Sequence, residues 1–108
     1  MAKKIKPIRY SDTDLREFKA IIDKRLFHSK IVLKYLEQQL EKNPADDEMI
    51  AQTAVQRYTI TELEEALTRI QSRRFGVCEQ TRALIDKKTL KLIPYVKTVE
   101  DAEILLGR

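Results

Sequence analysis

Two long apolar stripes separated by a single proline set most of what this chain can become. Apolar side chains recur at Leu15, Phe18, Ile22, Leu26, Val32, Leu33, Leu36 and Leu40, mostly three or four positions apart. That spacing puts them on one face of an α-helix. The same repeat then runs through Met49, Thr53, Gln56, Ile60, Leu63, Leu67 and Ile70, and Asn43-Pro44 lies between the two stripes. Proline has no amide donor and disfavours helical geometry in the residue before it, so the first helix is expected to stop at Lys42. Ser11 is expected to open that helix, its hydroxyl accepting from first-turn backbone donors, with Asp12 and Asp14 complementing the helix dipole. Asn43 suits the cap of a second helix, with Pro44 in its first position and Asp46, Asp47 and Glu48 in its first turn, so this helix is predicted from Pro44 to Arg73. A helix of about 30 residues is about 45 Å long. Two such helices, antiparallel and joined by a tight turn, make a coiled-coil finger over residues 11–73 with its tip near 43–48.

Thr53 and Gln56 occupy seam positions that a coiled coil fills with apolar residues, so the half of the finger near the turn is expected to be the weaker half. Ile50, Ala54 and Tyr58 flank that seam. On the first helix Ile21, Phe27, Ile31 and Tyr35 widen the apolar face, which calls for a further contact with the C-terminal lobe or with a second protein. Ahead of the finger, residues 1–10 carry four cations and no acid and read as a basic arm.

Composition narrows the function. Of the 108 residues 35% are charged, 6% are aromatic and two are glycine, which fits a mainly α protein of long exposed helices and rules against a compact sheet. The formal charge of +4 is split between a basic arm and an acidic second helix rather than gathered in one patch, so direct sequence-specific DNA binding is not expected. One cysteine excludes an internal disulfide, and no apolar run reaches the length of a membrane span. The expectation is a soluble cytoplasmic protein with no membrane partner. Cys78 has no histidine partner, because the single histidine, His28, lies midway along the first helix, so no nucleophile-base pair suggests an enzyme.

Residues 74–108 form the remaining lobe, with Gly76 permitting a tight knuckle, a short helix at Lys87–Leu92 and a final one at Val99–Leu106. The spacing is that of a zinc knuckle, in which two Cys-x-x-Cys pairs surround one tetrahedral ion. Here Cys78 is followed by Thr81, and Val99 and Ala102 stand where the second pair would be. One thiol cannot make a structural zinc site, so no cofactor is expected. The ion contributes on the order of 10 kcal/mol or more in proteins that keep it. Phe75, Val77, Leu84, Ile85, Leu90, Ile93, Val96, Ile104 and Leu105 are available to replace it, at roughly 1.5 to 3 kcal/mol for each fully buried side chain.

Phe75-Gly76-Val77-Cys78, Ile85, Leu90, Pro94 and the run to Ala102 resemble the C-terminal module of the DksA/TraR family of four-cysteine zinc-finger transcription regulators, with Thr81, Val99 and Ala102 at the other three cysteine positions. The resemblance extends upstream to the RYSDTDLREFKAII opening and the LEEALTRIQSRRFGVC approach. It implies a partner, bacterial RNA polymerase, whose secondary channel would receive the coiled coil, and a protein that is monomeric when free. It also implies an acidic tip near the catalytic magnesium. The family's tip pattern is Asp-x-x-Asp-x-Ala; the stretch Asn43 to Glu48 keeps its second aspartate as Asp46, with Asp47 and Glu48 adding charge. Some members bind guanosine tetraphosphate through cations of the second helix and lobe, but Arg57 is the sole cation between Asp46 and Thr68, so binding in that mode is not expected. Two alternatives stand beside channel regulation: a factor that stimulates transcript cleavage by the polymerase, and a structural helical-hairpin homodimer with no polymerase role.

Overall fold

In the computed structural model, which describes residues 8–107, four helices follow one another: α1 at Asp12–Lys42, α2 at Asp47–Gln71, α3 at Lys87–Leu92 and α4 at Val99–Leu106. The protein is mainly α, and α1 and α2 pack antiparallel as a long hairpin with the short helices gathered at its base. Residues 1–7 of the expected basic arm lie outside the described residues. No described helix is long and apolar enough to cross a membrane.

Ser11 caps α1 as its type suggests, its Oγ accepting from the Asp14 amide at 3.1 Å. Buried along α1 are Leu15, Phe18, Ile22, Leu26, Ser29 and Leu36, while Val32, Leu33 and Leu40 are half-buried. Opposite them α2 buries Thr53, Ile60, Leu63, Ala66 and Arg69, with Met49, Gln56, Leu67 and Ile70 only half-buried. The α2 seam therefore drifts from the predicted one toward Ala66 and Arg69 as it nears the base, where α2 must face the lobe as well as α1. Glu37 and Arg57 pair across the outer half of the hairpin at 3.1 Å. Both side chains are well exposed, so this pair adds at most about 1 kcal/mol.

One core joins the hairpin base to the lobe. Tyr10, Leu15, Phe18, Ile22, Leu26, Ile60, Leu63 and Ala66 enclose it from the hairpin side, and Phe75, Cys78, Ile85, Leu90, Val96 and Ala102 from the lobe. Phe18 sits between two rings, edge-on to Tyr10 at 5.5 Å and tilted against Phe75 at 5.1 Å. The Tyr10 hydroxyl donates to the Ile85 carbonyl and so ties the start of the chain to the lobe. Polar links close the same junction. Arg25 of α1 donates to the Lys91 and Leu92 carbonyls at 2.6 and 2.7 Å, satisfying two orphan acceptors at the end of α3. Lys87 meets Asp14 at 2.9 Å, and Lys97 reaches Glu62 and Glu65 of α2 at 3.9 and 3.4 Å.

Three apolar residues expected to replace the metal do not do so. Leu84, Ile104 and Leu105 are 38, 68 and 56% exposed. In α4 the inward face is Val99, Ala102 and Leu106, at helical spacing, which leaves positions 104 and 105 pointing away. Tyr10, which the sequence assigns to the arm, takes a place in the core instead.

Candidate functional site

The acidic tip is built by the way the two helices exchange hydrogen bonds. Asn43 ends α1, its amide donating to the Gln39 carbonyl at 3.0 Å, and so is not the cap of α2. Pro44 and Ala45 form the corner of a turn in which the Asp46 amide meets the Asn43 carbonyl at 3.3 Å. Asp46 then caps α2, with its Oδ1 accepting from the Met49 amide at 3.1 Å. The second helix thus starts at Asp47 rather than Pro44, because the reversal uses Pro44 and Ala45 as its corner and cannot also wind them into a helix.

This capping divides the three acids. Asp46 is half-buried and commits one carboxylate oxygen to the backbone. Asp47 and Glu48 are exposed, and Glu48 accepts a weak bond from Gln52 Nε2 at 3.4 Å. All three carry negative charge into the first turn of α2, where it offsets the positive end of the helix dipole. Among the described residues no three His, Cys, Asp or Glu side chains are placed to hold a metal ion. The tip as it stands is a concentrated negative charge on a narrow support.

At the other end the knuckle keeps its backbone form. The Cys78 amide donates to the Ala83 carbonyl at 2.8 Å, the Arg82 amide donates back to the Cys78 carbonyl at 2.9 Å, and Ile85 N–H reaches the Gly76 carbonyl at 2.8 Å. Val77 and Leu84 form an antiparallel bridge across the loop. Around the sulfur stand the positions that spacing assigns to the missing ligands. The Thr81 and Val99 amides point at Cys78 Sγ from 3.5 and 3.4 Å, and Ala102 is buried beside the same core. Thr81, Val99 and Ala102 thus occupy ligand places while offering the sulfur amide donors or hydrocarbon. With Cys78 as the single sulfur ligand, this donor set does not suit tetrahedral zinc.

The same amides change the thiol. Burial raises the Cys78 pKa, but hydrogen bonds from Thr81, Val99 and Gln80 favour the thiolate more strongly and bring it down to about 7. The sulfur is almost completely enclosed, at 1% exposure. Gly76 makes the enclosure possible, with φ of +76° and a position at which any Cβ would lie 2.6 Å from Tyr10 Cε2 and 2.9 Å from Leu90 Cδ1.

His28 is exposed on α1, as its isolation in the sequence implies. What the sequence does not reveal is that Arg69 lies buried at the junction, donating through Nη2 to the Tyr95 carbonyl at 3.3 Å. The only signal for it is its place three residues after Ala66 on the helix face that turns toward the lobe. Compared with models of known families, with curated proteins and with solved structures, the chain matches none.

Proposed function

We propose that this chain regulates transcription by placing its hairpin in the secondary channel of bacterial RNA polymerase, in the manner of the DksA/TraR proteins whose motifs it resembles. The observation that carries this reading is the position of Asp46, Asp47 and Glu48 at the free end of a molecule measuring 70 × 27 × 18 Å, whose bulk lies at the opposite end. A carboxylate cluster carried on two helices alone can enter a channel that excludes a globular surface, and can alter the charge around a metal it does not itself hold. The lobe would stay at the channel mouth and the sides of the finger would line its wall. The reading needs no bound zinc and no chemistry performed by the chain itself. Its test is retention of purified bacterial RNA polymerase by the immobilised protein, with competition by a second factor that fills the same channel. Failure to retain the enzyme, or retention that such a competitor leaves untouched, would sink it.

A homodimer is the second reading, favoured by Phe27, Ile31 and Tyr35, which lie four residues apart on α1 and are 71, 54 and 57% exposed. Solution scattering separates the two. The isolated chain has a radius of gyration of 17.0 Å, against about 13 Å for a compact globule of this length. A protomer mass with that radius supports the finger acting alone, and a doubled mass supports the dimer.

A further inference from the structure

A hollow of about 750 Å³ opens on the flank of the hairpin, where α1 and α2 meet the end of α3. That volume lies in the range of small-molecule sites. Arg25 holds its lobe-side wall in place, since the bonds it donates to the Lys91 and Leu92 carbonyls fasten the end of α3 to α1.

The lining is sorted by polarity along the helices. Toward the lobe it is apolar, with Ile21 from α1, Leu63 from α2, and Leu92 and Tyr95 from the end of α3 and the segment after it. Toward the tip it carries His28, Ser29 and Thr59. Ser29 lies eight residues beyond Ile21 on α1, about 12 Å along the axis, and Thr59 lies one turn to the tip side of Leu63. Lys24 and Lys91 complete the lining with Arg25, and no Asp or Glu belongs to it.

The polar end is also unsatisfied. Ser29 is 7% exposed, yet neither its hydroxyl nor that of Thr59 makes a hydrogen bond among the described residues. Thr53, Thr61 and Thr68 behave differently, each donating to the carbonyl four residues earlier, as a hydroxyl inside a helix commonly does. A buried hydroxyl left without a partner is destabilising, so an acceptor delivered into the hollow would be held there. Lys24 and Lys91 are exposed and form no ion pair among the described residues, which gives that acceptor reason to be an anion.

We propose that this hollow is a binding site for a medium-chain fatty acid. Its carboxylate accepts from the Ser29 and Thr59 hydroxyls in the field of Lys24 and Lys91, and its acyl chain runs toward the lobe over Ile21, Leu63, Leu92 and Tyr95. The chain takes Leu92, which is 59% exposed, out of water. A partner's helix, about 10 Å across, would cover the opening but is too wide to bring an acceptor down to the Ser29 hydroxyl. The proposal goes beyond the polymerase reading and concerns the free protein.

Calorimetric titration of the full chain with sodium decanoate, below its micellar concentration and at physiological salt, is the test. One saturable site is expected, weakened about tenfold by Ser29→Ala and by the double variant Lys24→Gln, Lys91→Gln. Lys30→Gln, which removes an exposed cation outside the hollow, should bind as the parent does. Ser29→Ala is the informative variant, because alanine suits a helix interior and the hydroxyl it removes has no partner in the folded chain. Its melting temperature without ligand should therefore match or exceed the parent's, so that lost binding cannot be blamed on a lost fold. Absence of saturable binding, full affinity in Ser29→Ala or in the double lysine variant, equal loss in Lys30→Gln, or neutral decanol binding as tightly as decanoate would overturn the proposal.

Discussion

A single sulfur held by backbone amides gives the lobe a pH response that its apolar neighbours cannot. Because the folded pKa of Cys78 is about 7, below its ordinary 9.0, the folded state favours the thiolate. The contribution is absent below pH 7, grows between pH 7 and 9, and is complete above pH 9, where the unfolded chain ionises too. A two-unit shift corresponds to roughly 2 to 3 kcal/mol. Denaturant titrations at pH 6.5 and 9 should show the native protein gaining stability relative to Cys78→Ala by about that amount, and parallel pH profiles would show that the amides do not hold a thiolate. Gly76 is the neighbouring residue on which this enclosure depends. Gly76→Ala places a methyl group against Tyr10 and Leu90 at a φ of +76°, so it should cost about 2 to 5 kcal/mol, read from the shift of the unfolding midpoint. An alanine variant as stable as the parent would mean that Tyr10 can leave the core.

Along the finger, stability is set by which seam positions are closed on all sides. Leu63 is 1% exposed and Leu67 only half-buried, so Leu63→Ala should cost about 2 to 5 kcal/mol and Leu67→Ala clearly less. Nearer the tip, Thr53 satisfies its hydroxyl on the Met49 carbonyl at 2.7 Å, but Gln56 Oε1 is buried with no partner. An unsatisfied buried acceptor costs about 1 to 3 kcal/mol, so Gln56→Leu should raise the melting temperature by several degrees and slow amide exchange in the outer half of the hairpin. An unchanged melting temperature would mean that Gln56 finds water in solution. The two long helices and their antiparallel pairing were legible from periodicity and from Pro44, and the end of the first short lobe helix from Pro94, because those signals are local. The cap at Asp46 was not, because Asn43 and Asp46 are equally good caps and only the geometry of the reversal chooses between them. Nor were Tyr10 and Arg69, whose burial is decided by the lobe folding back onto the hairpin from residues far away in sequence.

For the molecule as a whole, the proposed task separates holding from acting. If the finger enters the polymerase channel, the lobe and the flanks of α1 and α2 supply most of the contact area, and the tip acts on a site already occupied. Asp46 has two duties there, since its carboxylate caps α2 as well as carrying charge. Asparagine caps a helix about as well as aspartate and matches its shape, so Asp46→Asn removes the charge and keeps the turn. It should leave polymerase affinity within a few-fold, about 1 kcal/mol, while abolishing the effect on transcription. Asp46→Ala removes both, and should in addition lower finger stability by about 1 kcal/mol, which gives the comparison that isolates charge from structure. Asp47→Asn and Glu48→Ala carry no backbone duty of that kind and should weaken the transcriptional effect less, because only Asp46 matches an acid of the resembled tip. Binding equilibria and single-round transcription with the same variants check this ordering. If a variant lacking all three carboxylates regulates as well as the parent while Asp46→Ala alone melts early, then the tip acids serve only the helix end, and the finger must act by filling space.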